Sequence, residues 1–172
     1  MNFFSPSRLV MIFYRALMFL LYILARIIGL FSPLSGFQER LGFYSRKALD
    51  HLDDGPRIWL HAASAGEVNA IEPFCRALRK QIPNVQIIVT TTSNTGKKLV
   101  QERESADLVF FAPLDMGACV RRALKAFKRT VYLVAETEFW PNALRLVSQS
   151  GVPILLINGR ISDRSFPAYH RL

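Results

Sequence analysis

Apolar residues follow two regimes along this chain. Between Leu9 and Phe31 every position is apolar except Arg15 and Arg26, a run of 23 residues. Wound as a helix, such a run extends about 34 Å, enough to cross a hydrocarbon core. From Arg57 onward the pattern changes to short apolar runs rich in β-branched residues, at Ile58–His61, Gln86–Thr92, Leu108–Ala112, Val131–Ala135 and Pro153–Asn158. They are mostly apolar on both faces, as buried parallel strands are. Helical spacing separates them. Val68, Ile71, Phe74, Cys75, Leu78 and Ile82 form one apolar face, and further helices are predicted at Thr95–Glu104, Met116–Phe127 and Pro141–Ser150. The last opens on a first-turn proline and stops before Gly151. Five strands alternating with helices predict an α/β fold with an open, doubly wound parallel sheet. Ser32–Gly36 and Lys47–Pro56 read as breaks, giving an anchor helix and linker over residues 1–36 and an α/β domain over 37–172.

The arginines qualify the first helix. Arg8, Arg15 and Arg26 are spaced by 7 and 11 residues, which puts them within about 20° of one stripe, with Tyr22 and Gly29 continuing it. A spanning helix would have to let Arg15 and Arg26 snorkel toward opposite headgroup layers, at a cost of up to about 3 kcal/mol each if held at the centre. A helix lying in the interface leaves the stripe among anionic headgroups at no such cost. A core helix of a soluble protein is the third reading. No small-x-small site closes the uncharged stretch Ala16–Ala25, which argues against a cleaved signal peptide. If the helix spans, Arg40, Arg46 and Lys47 favour a cytoplasmic location for the residues downstream of it.

Charge narrows the partners. The chain has 22 basic and 13 acidic side chains, net +9, and the first 32 residues hold three arginines and no acid, so an excess of six remains downstream. Such an excess favours an anionic partner: acidic lipid, a phosphorylated substrate or nucleic acid. The basic residues are dispersed and carry no nucleic-acid motif, which sets nucleic acid aside. Cys75 and Cys119 stand far apart on apolar helix faces and read as buried free thiols; neither they nor His51, His61 and His170 have metal-ligand spacing.

In a doubly wound sheet, ligands sit outside the carboxyl ends of the strands. The segments after the predicted strands should therefore open on one edge, and they hold most of the unusual chemistry. Ser64-Ala65-Gly66-Glu67 could place a carboxylate where it takes a proton from a hydroxyl. It is also a capping box, with Ser64 as N-cap, and the helix dipole would favour ionised Glu67; spacing alone favours the cap. Glu136 and Glu138, with Phe139 and Trp140, are either desolvated carboxylates at the ligand edge or acids opening a helix. Thr90 to Lys98, with Thr92, Thr95, Gly96 and Lys97, suits a phosphate at a helix start or plain N-capping, and it lacks the spacing of a P-loop. Asn158, Arg160 and Arg164 could bind an anion or form a solvated turn. No GxGxxG follows the first strand.

Taken in order, His61-Ala-Ala-Ser-Ala-Gly-Glu67, Thr90-Thr-Thr92 with Thr95-Gly96, Pro113-Leu-Asp115, Glu136-Thr-Glu-Phe-Trp-Pro-Asn142 and Asn158-Gly-Arg-Ile-Ser162 with Arg164-Ser165 resemble the motifs of 3-deoxy-D-manno-octulosonic acid (Kdo) transferases. Glu39-Arg-Leu-Gly-Phe-Tyr44 resembles the family's segment between anchor and first strand, so the likeness runs from about Glu39 to Tyr169. The resemblance implies the Rossmann-like N-terminal domain of a GT-B glycosyltransferase. Such an enzyme works without a metal or cofactor at the cytoplasmic face of the bacterial inner membrane and moves Kdo from the donor substrate CMP-Kdo to a hydroxyl of a lipid A precursor (lipid IVA) in lipopolysaccharide synthesis, with inversion. It implies Glu67 as the base, with Glu136 and Glu138 near the same cleft. Ser64, Gly66, Thr92, Thr95, Gly96, Lys97, Asn158, Arg160 and Arg164 are the further acceptor-side candidates. Gly159 stands where alanine is more usual in the family.

The implied partners are the lipid A precursor, an inner membrane with anionic lipids, and a C-terminal donor domain carrying most CMP-Kdo contacts, which these 172 residues do not include. The resulting expectation is a truncated or split chain, inactive alone, whose donor domain can be a separate polypeptide. A non-catalytic membrane-bound module that binds phosphorylated glycolipid is the alternative, and Glu67→Gln separates the two. An unrelated nucleotide-binding enzyme on the same sheet is a third class, marked by affinity for a free nucleotide.

Overall fold

The structure, a computed structural model, describes residues 8–31, 36–53, 55–128, 131–136 and 139–159. It divides into two compact units, one including the N-terminal helix and the other Gln38–Arg160. In the first, α1 runs from Arg8 to Phe31, as the apolar run predicts. Ile12, Phe13, Leu17, Phe19, Leu20, Leu21, Ile23, Leu24 and Ile27 are all exposed on it. The spanning reading is corrected: no helix among the described residues is long and apolar enough to cross a membrane. The arginines at 8, 15 and 26 are what interrupt an otherwise apolar run.

In the second unit, two short helices, α2 (Phe37–Arg40) and α3 (Arg46–Leu49), precede the sheet. The alternating elements then come in turn: β1 (Arg57–His61), α4 (Ala65–Gln81), β2 (Gln86–Thr91), α5 (Asn94–Arg103), β3 (Leu108–Phe111), α6 (Gly117–Phe127), β4 (Val131–Ala135), α7 (Pro141–Gln149) and β5 (Ile154–Ile157). The strands lie in the order β3-β2-β1-β4-β5 and all pair in parallel. His61 lies level with Thr90 on one side and Val134 on the other. Thr91 lies level with Phe111, and Ala135 with Ile157. The carboxyl ends therefore share one edge, and the strand order reverses between β1 and β4.

Each face of the sheet has its own core. Ile58, Leu60, Ile87 and Val89 pack with Val68, Ile71 and Cys75 of α4 and Val100 of α5. Trp59, Ile88, Phe110, Tyr132 and Val134 pack with Val120, Phe127, Leu146 and Val147 of α6 and α7. Helices on both faces make the sheet doubly wound, as predicted. Aromatic rings tie the second core together, with Trp59 against both Phe127 and Tyr132. Two details differ from the sequence reading. Phe74 and Ile82 are 36% and 41% exposed, because α4 buries only its Val68, Ile71 and Cys75 stripe deeply. At the sheet edge, β5 leaves Leu155 and Leu156 54% and 49% exposed, so it is not buried on both faces.

Most buried polar groups of this unit find partners. Arg57, buried at the amino edge, donates to Gln86 Oε1, Phe127 O and Asp53 O. Gly42 needs its lack of a side chain: its φ is +84°, and a Cβ there would stand 2.6 Å from Cys119 O. That contact seats the segment before α3 directly on α6.

Candidate active site at the carboxyl edge of the sheet

The strand order reverses between β1 and β4, the place where a doubly wound sheet leaves a crevice for ligands. Glu67 stands at its β1 side, in the first turn of α4. Ser64 is the N-cap, accepting from Glu67 N at 3.2 Å. One carboxylate oxygen accepts the Ser64 hydroxyl proton at 2.9 Å and the other accepts from Ala63 N at 2.8 Å. The capping box therefore forms, displaced by one residue: Glu67 reaches the amide before the N-cap. The side chain is buried, with 7% exposure, and held in one orientation by donors from its own turn. Gly66, exposed in the same turn, has only Ser64 Oγ near its missing side chain, at 3.7 Å.

His61 is the last residue of β1, with 3% exposure. Its Nδ1 is 3.2 Å from Thr90 Oγ1, which also accepts from Trp59 Nε1 at 2.8 Å. Among the described residues, Nε2 is buried without a hydrogen-bond partner. The ring faces Trp140 nearly at right angles, with centroids 6.0 Å apart. Burial drives the imidazole pKa down to about 4, against a small opposing contribution from Thr90, so it is neutral at physiological pH. Trp140 leads into α7, whose N-terminus has no cap of its own. Asp115 supplies one from the β3–α6 loop, accepting from Asn142 N at 3.0 Å and Ala143 N at 2.7 Å. Asn142 Nδ2 returns a bond to Asp115 O at 2.8 Å. Asp115 is thus the group that fixes the wall of the crevice, and sequence reading noted it only as part of a motif. Its signal is a lone acid after a strand, opposite a helix start that lacks a capping side chain.

Across the crevice, Glu136 and Asn158 come directly after the ends of β4 and β5. Both adopt left-handed backbone, with φ of +56° and +52°, a conformation that costs non-glycine residues roughly 1–2 kcal/mol. Glu136 N donates to Ile157 O at 2.9 Å, and Asn158 Nδ2 approaches Glu136 Oε1 at 3.4 Å. Two residues singled out from sequence are therefore brought together in strained turns. Glu138, Arg160 and Arg164 lie outside the described residues.

The segment after β2 is largely committed to its own architecture. Thr92 N and Oγ1 both donate to Ala63 O, at 3.0 and 2.9 Å, joining this loop to the Glu67 turn. Ser93 caps α5 by accepting from Gly96 N at 3.0 Å. A Cβ on Gly96 would stand 2.5 Å from Thr91 Oγ1, so glycine is required there for close packing. Thr95 is exposed. Lys97 Nζ binds both oxygens of Glu39, at 2.8 and 2.7 Å. Glu39 also accepts from Phe111 N at 2.6 Å. Periodicity gives no sign of Glu39, which stands in a four-residue helix; the ion pair exists only in the tertiary structure. Both cysteines are buried and free, and burial raises each thiol's pKa, that of Cys75 to about 11. Among the described residues, no group of three or more His, Cys, Asp or Glu side chains is placed to hold a metal ion.

Comparison with known proteins bears on this edge. The family described as 3-deoxy-D-manno-octulosonic-acid transferase (kdotransferase) matches residues 35–172. The chain belongs to the Kdo transferase family. Among its relatives, the 3-deoxy-D-manno-octulosonic acid transferase of Haemophilus influenzae is 33% identical over 136 residues, 78% of this chain and 31% of that protein. A bifunctional glycosyltransferase/methyltransferase of Fusobacterium nucleatum is 30% identical over 160 residues, 88% of the chain and 25% of the relative. A probable mitochondrial 3-deoxy-D-manno-octulosonic acid transferase of Arabidopsis thaliana is 32% identical over 113 residues, 65% of the chain and 24% of the relative. This Kdo transferase chain thus spans about a quarter to a third of the length of these relatives. The matched region contains the whole sheet and all the edge residues described above.

Proposed function

We propose that this chain forms the acceptor side of a Kdo transferase, in which Glu67 takes the proton from an acceptor hydroxyl as that oxygen attacks the anomeric carbon of Kdo and CMP leaves. Attack from the face opposite the leaving nucleotide inverts that carbon. The acceptor is a lipid A precursor, lipid IVA, and the contacts to CMP-Kdo come from polypeptide outside these residues. The observation that carries the reading is a buried carboxylate held by two hydrogen bonds at the reversal of strand order, in a chain of this family. A general base needs a fixed position, and the Ser64 hydroxyl and Ala63 amide favour it. Glu136 and Asn158 form the opposite wall of the acceptor cleft, and the strained turns they occupy support that role.

The same reading puts α1 in the plane of a membrane interface. Nine of its described apolar side chains, from Ile12 to Ile27, are exposed, and Arg15 is exposed among them. The membrane is the bacterial inner membrane and the face cytoplasmic, the side on which a lipid-borne acceptor is held. Calorimetric titration of the chain in detergent micelles, with lipid A precursor and with CMP-Kdo as separate ligands, tests the assignment of sides. Saturable binding of the precursor, with CMP-Kdo binding weak or absent, is expected. Tight CMP-Kdo binding with none to the precursor would reverse it.

A further inference from the structure

Arg40 reaches the same carboxyl edge from the segment before the sheet. Its Nη2 donates to Thr92 O at 2.7 Å, and its guanidinium lies over the Phe111 ring, 4.3 Å from the centroid. Among the described residues its Nε and Nη1 have no hydrogen-bond partner. Lys97 Nζ lies over the same ring at 4.6 Å. Glu39 is matched by Lys97 and by Phe111 N, so Arg40 carries the net positive charge of the three. The guanidinium is half-buried, stacked and fixed through one hydrogen of Nη2, which leaves open a bidentate edge that includes the second Nη2 hydrogen. That is the geometry that binds a tetrahedral oxyanion.

The position of this fork relates it to Glu67. Thr92, which holds Arg40, donates twice to Ala63 O, and Ala63 N donates to the Glu67 carboxylate. The backbone anchors of the two groups are therefore hydrogen-bonded to each other just past the ends of β1 and β2. We infer that Arg40, with Lys97 beside it, is the subsite for a phosphate monoester carried by the acceptor sugar. It holds that sugar so that the reacting hydroxyl meets Glu67. Lys97 contributes by sharing its charge between Glu39 and the phosphate.

This inference rests on the acceptor reading of the edge, and the experiment separates the two. The nitrogen-15-labelled chain in detergent micelles is titrated with lipid A precursor, with the same precursor after enzymatic removal of its phosphates, and with phosphatidylglycerol vesicles. The Arg40 Nε–H resonance and the dissociation constants are followed. The Arg40 signal should move saturably with the phosphorylated precursor alone, and removing the phosphates should weaken binding roughly 10- to 100-fold. Arg40→Gln should reproduce that loss for the phosphorylated precursor and leave the dephosphorylated form within about twofold; Arg40→Lys should recover only part. Equal binding of both precursor forms with a silent Arg40 overturns the phosphate subsite while the acceptor reading stands. A response confined to phosphatidylglycerol assigns the fork to lipid headgroups and also overturns it. No binding of either precursor form removes the acceptor reading and this inference together. Because the wild-type resonance is read directly, the outcome does not depend on the variants folding.

Discussion

Glu67 serves as helix cap and candidate base at once, and the two duties respond differently to substitution. Glutamine can still accept from Ala63 N, and its amide can donate to a Ser64 hydroxyl turned the other way, so the cap survives and the base does not. Serine three residues before glutamate made the cap legible in the sequence; the further reach to Ala63 was not legible, because it depends on how the chain leaves β1. His61 shows the same limit. Its position in a motif was visible, but its burial and its contacts with Thr90 and Trp140 exist only in the tertiary structure. Its pKa is lowered to about 4 in the folded chain and is near 6.5 when unfolded. Between those values the unfolded chain binds the extra proton, so the contribution to stability is complete above pH 6.5 and is lost as pH falls toward 4. Denaturation at pH 7 and pH 4.5 should show His61 accounting for roughly 2–3 kcal/mol of the difference. His61→Asn, which does not titrate, should flatten that part of the slope; an unchanged slope would show that the ring is not held neutral by burial.

Among the elements, the strands were the most legible. Parallel strands covered on both faces are mostly apolar and β-branched, and that run marks Gln86–Thr91 or Val131–Ala135 without any partner being known. Four-residue helices such as α2 and α3 have too few turns to show a period, so Lys47–Pro56 reads only as a break. The seating of Glu39 and Gly42 against α5, β3 and α6 is tertiary and has no local signature. α1 is the opposite case: its apolar run is plain, and in the proposed interfacial placement its arginines face the headgroups. An interfacial helix draws part of its binding from anionic headgroups and loses that part as salt screens them. Flotation with vesicles should therefore show stronger binding to anionic than to neutral lipid, weakening as salt rises and weakening further with Arg15→Glu. Salt-resistant retention that only detergent reverses, equal on both lipids, would contradict this placement.

For the whole molecule, topology and family point to the same edge, and the net charge to the kind of partner. The net charge is +9, suited to an anionic membrane and a phosphorylated acceptor. Parallel strands in the order β3-β2-β1-β4-β5 bring the ends of all five to one side, with the reversal beside Glu67. A surface depression of about 660 Å³ lies at the other edge, beside Val85, Gln86, Asp107 and Leu108, where it meets none of the residues singled out for chemistry. The central claim is that Glu67 activates the acceptor hydroxyl. It is tested most directly by the rate of Kdo transfer from CMP-Kdo to lipid A precursor, with the donor contacts supplied by the remaining polypeptide, for the wild type and Glu67→Gln. A loss of about 10²–10⁴-fold in rate, with acceptor affinity and thermal stability preserved, is the expected result. Transfer at the wild-type rate by Glu67→Gln would contradict the account and leave Glu67 as a helix cap alone.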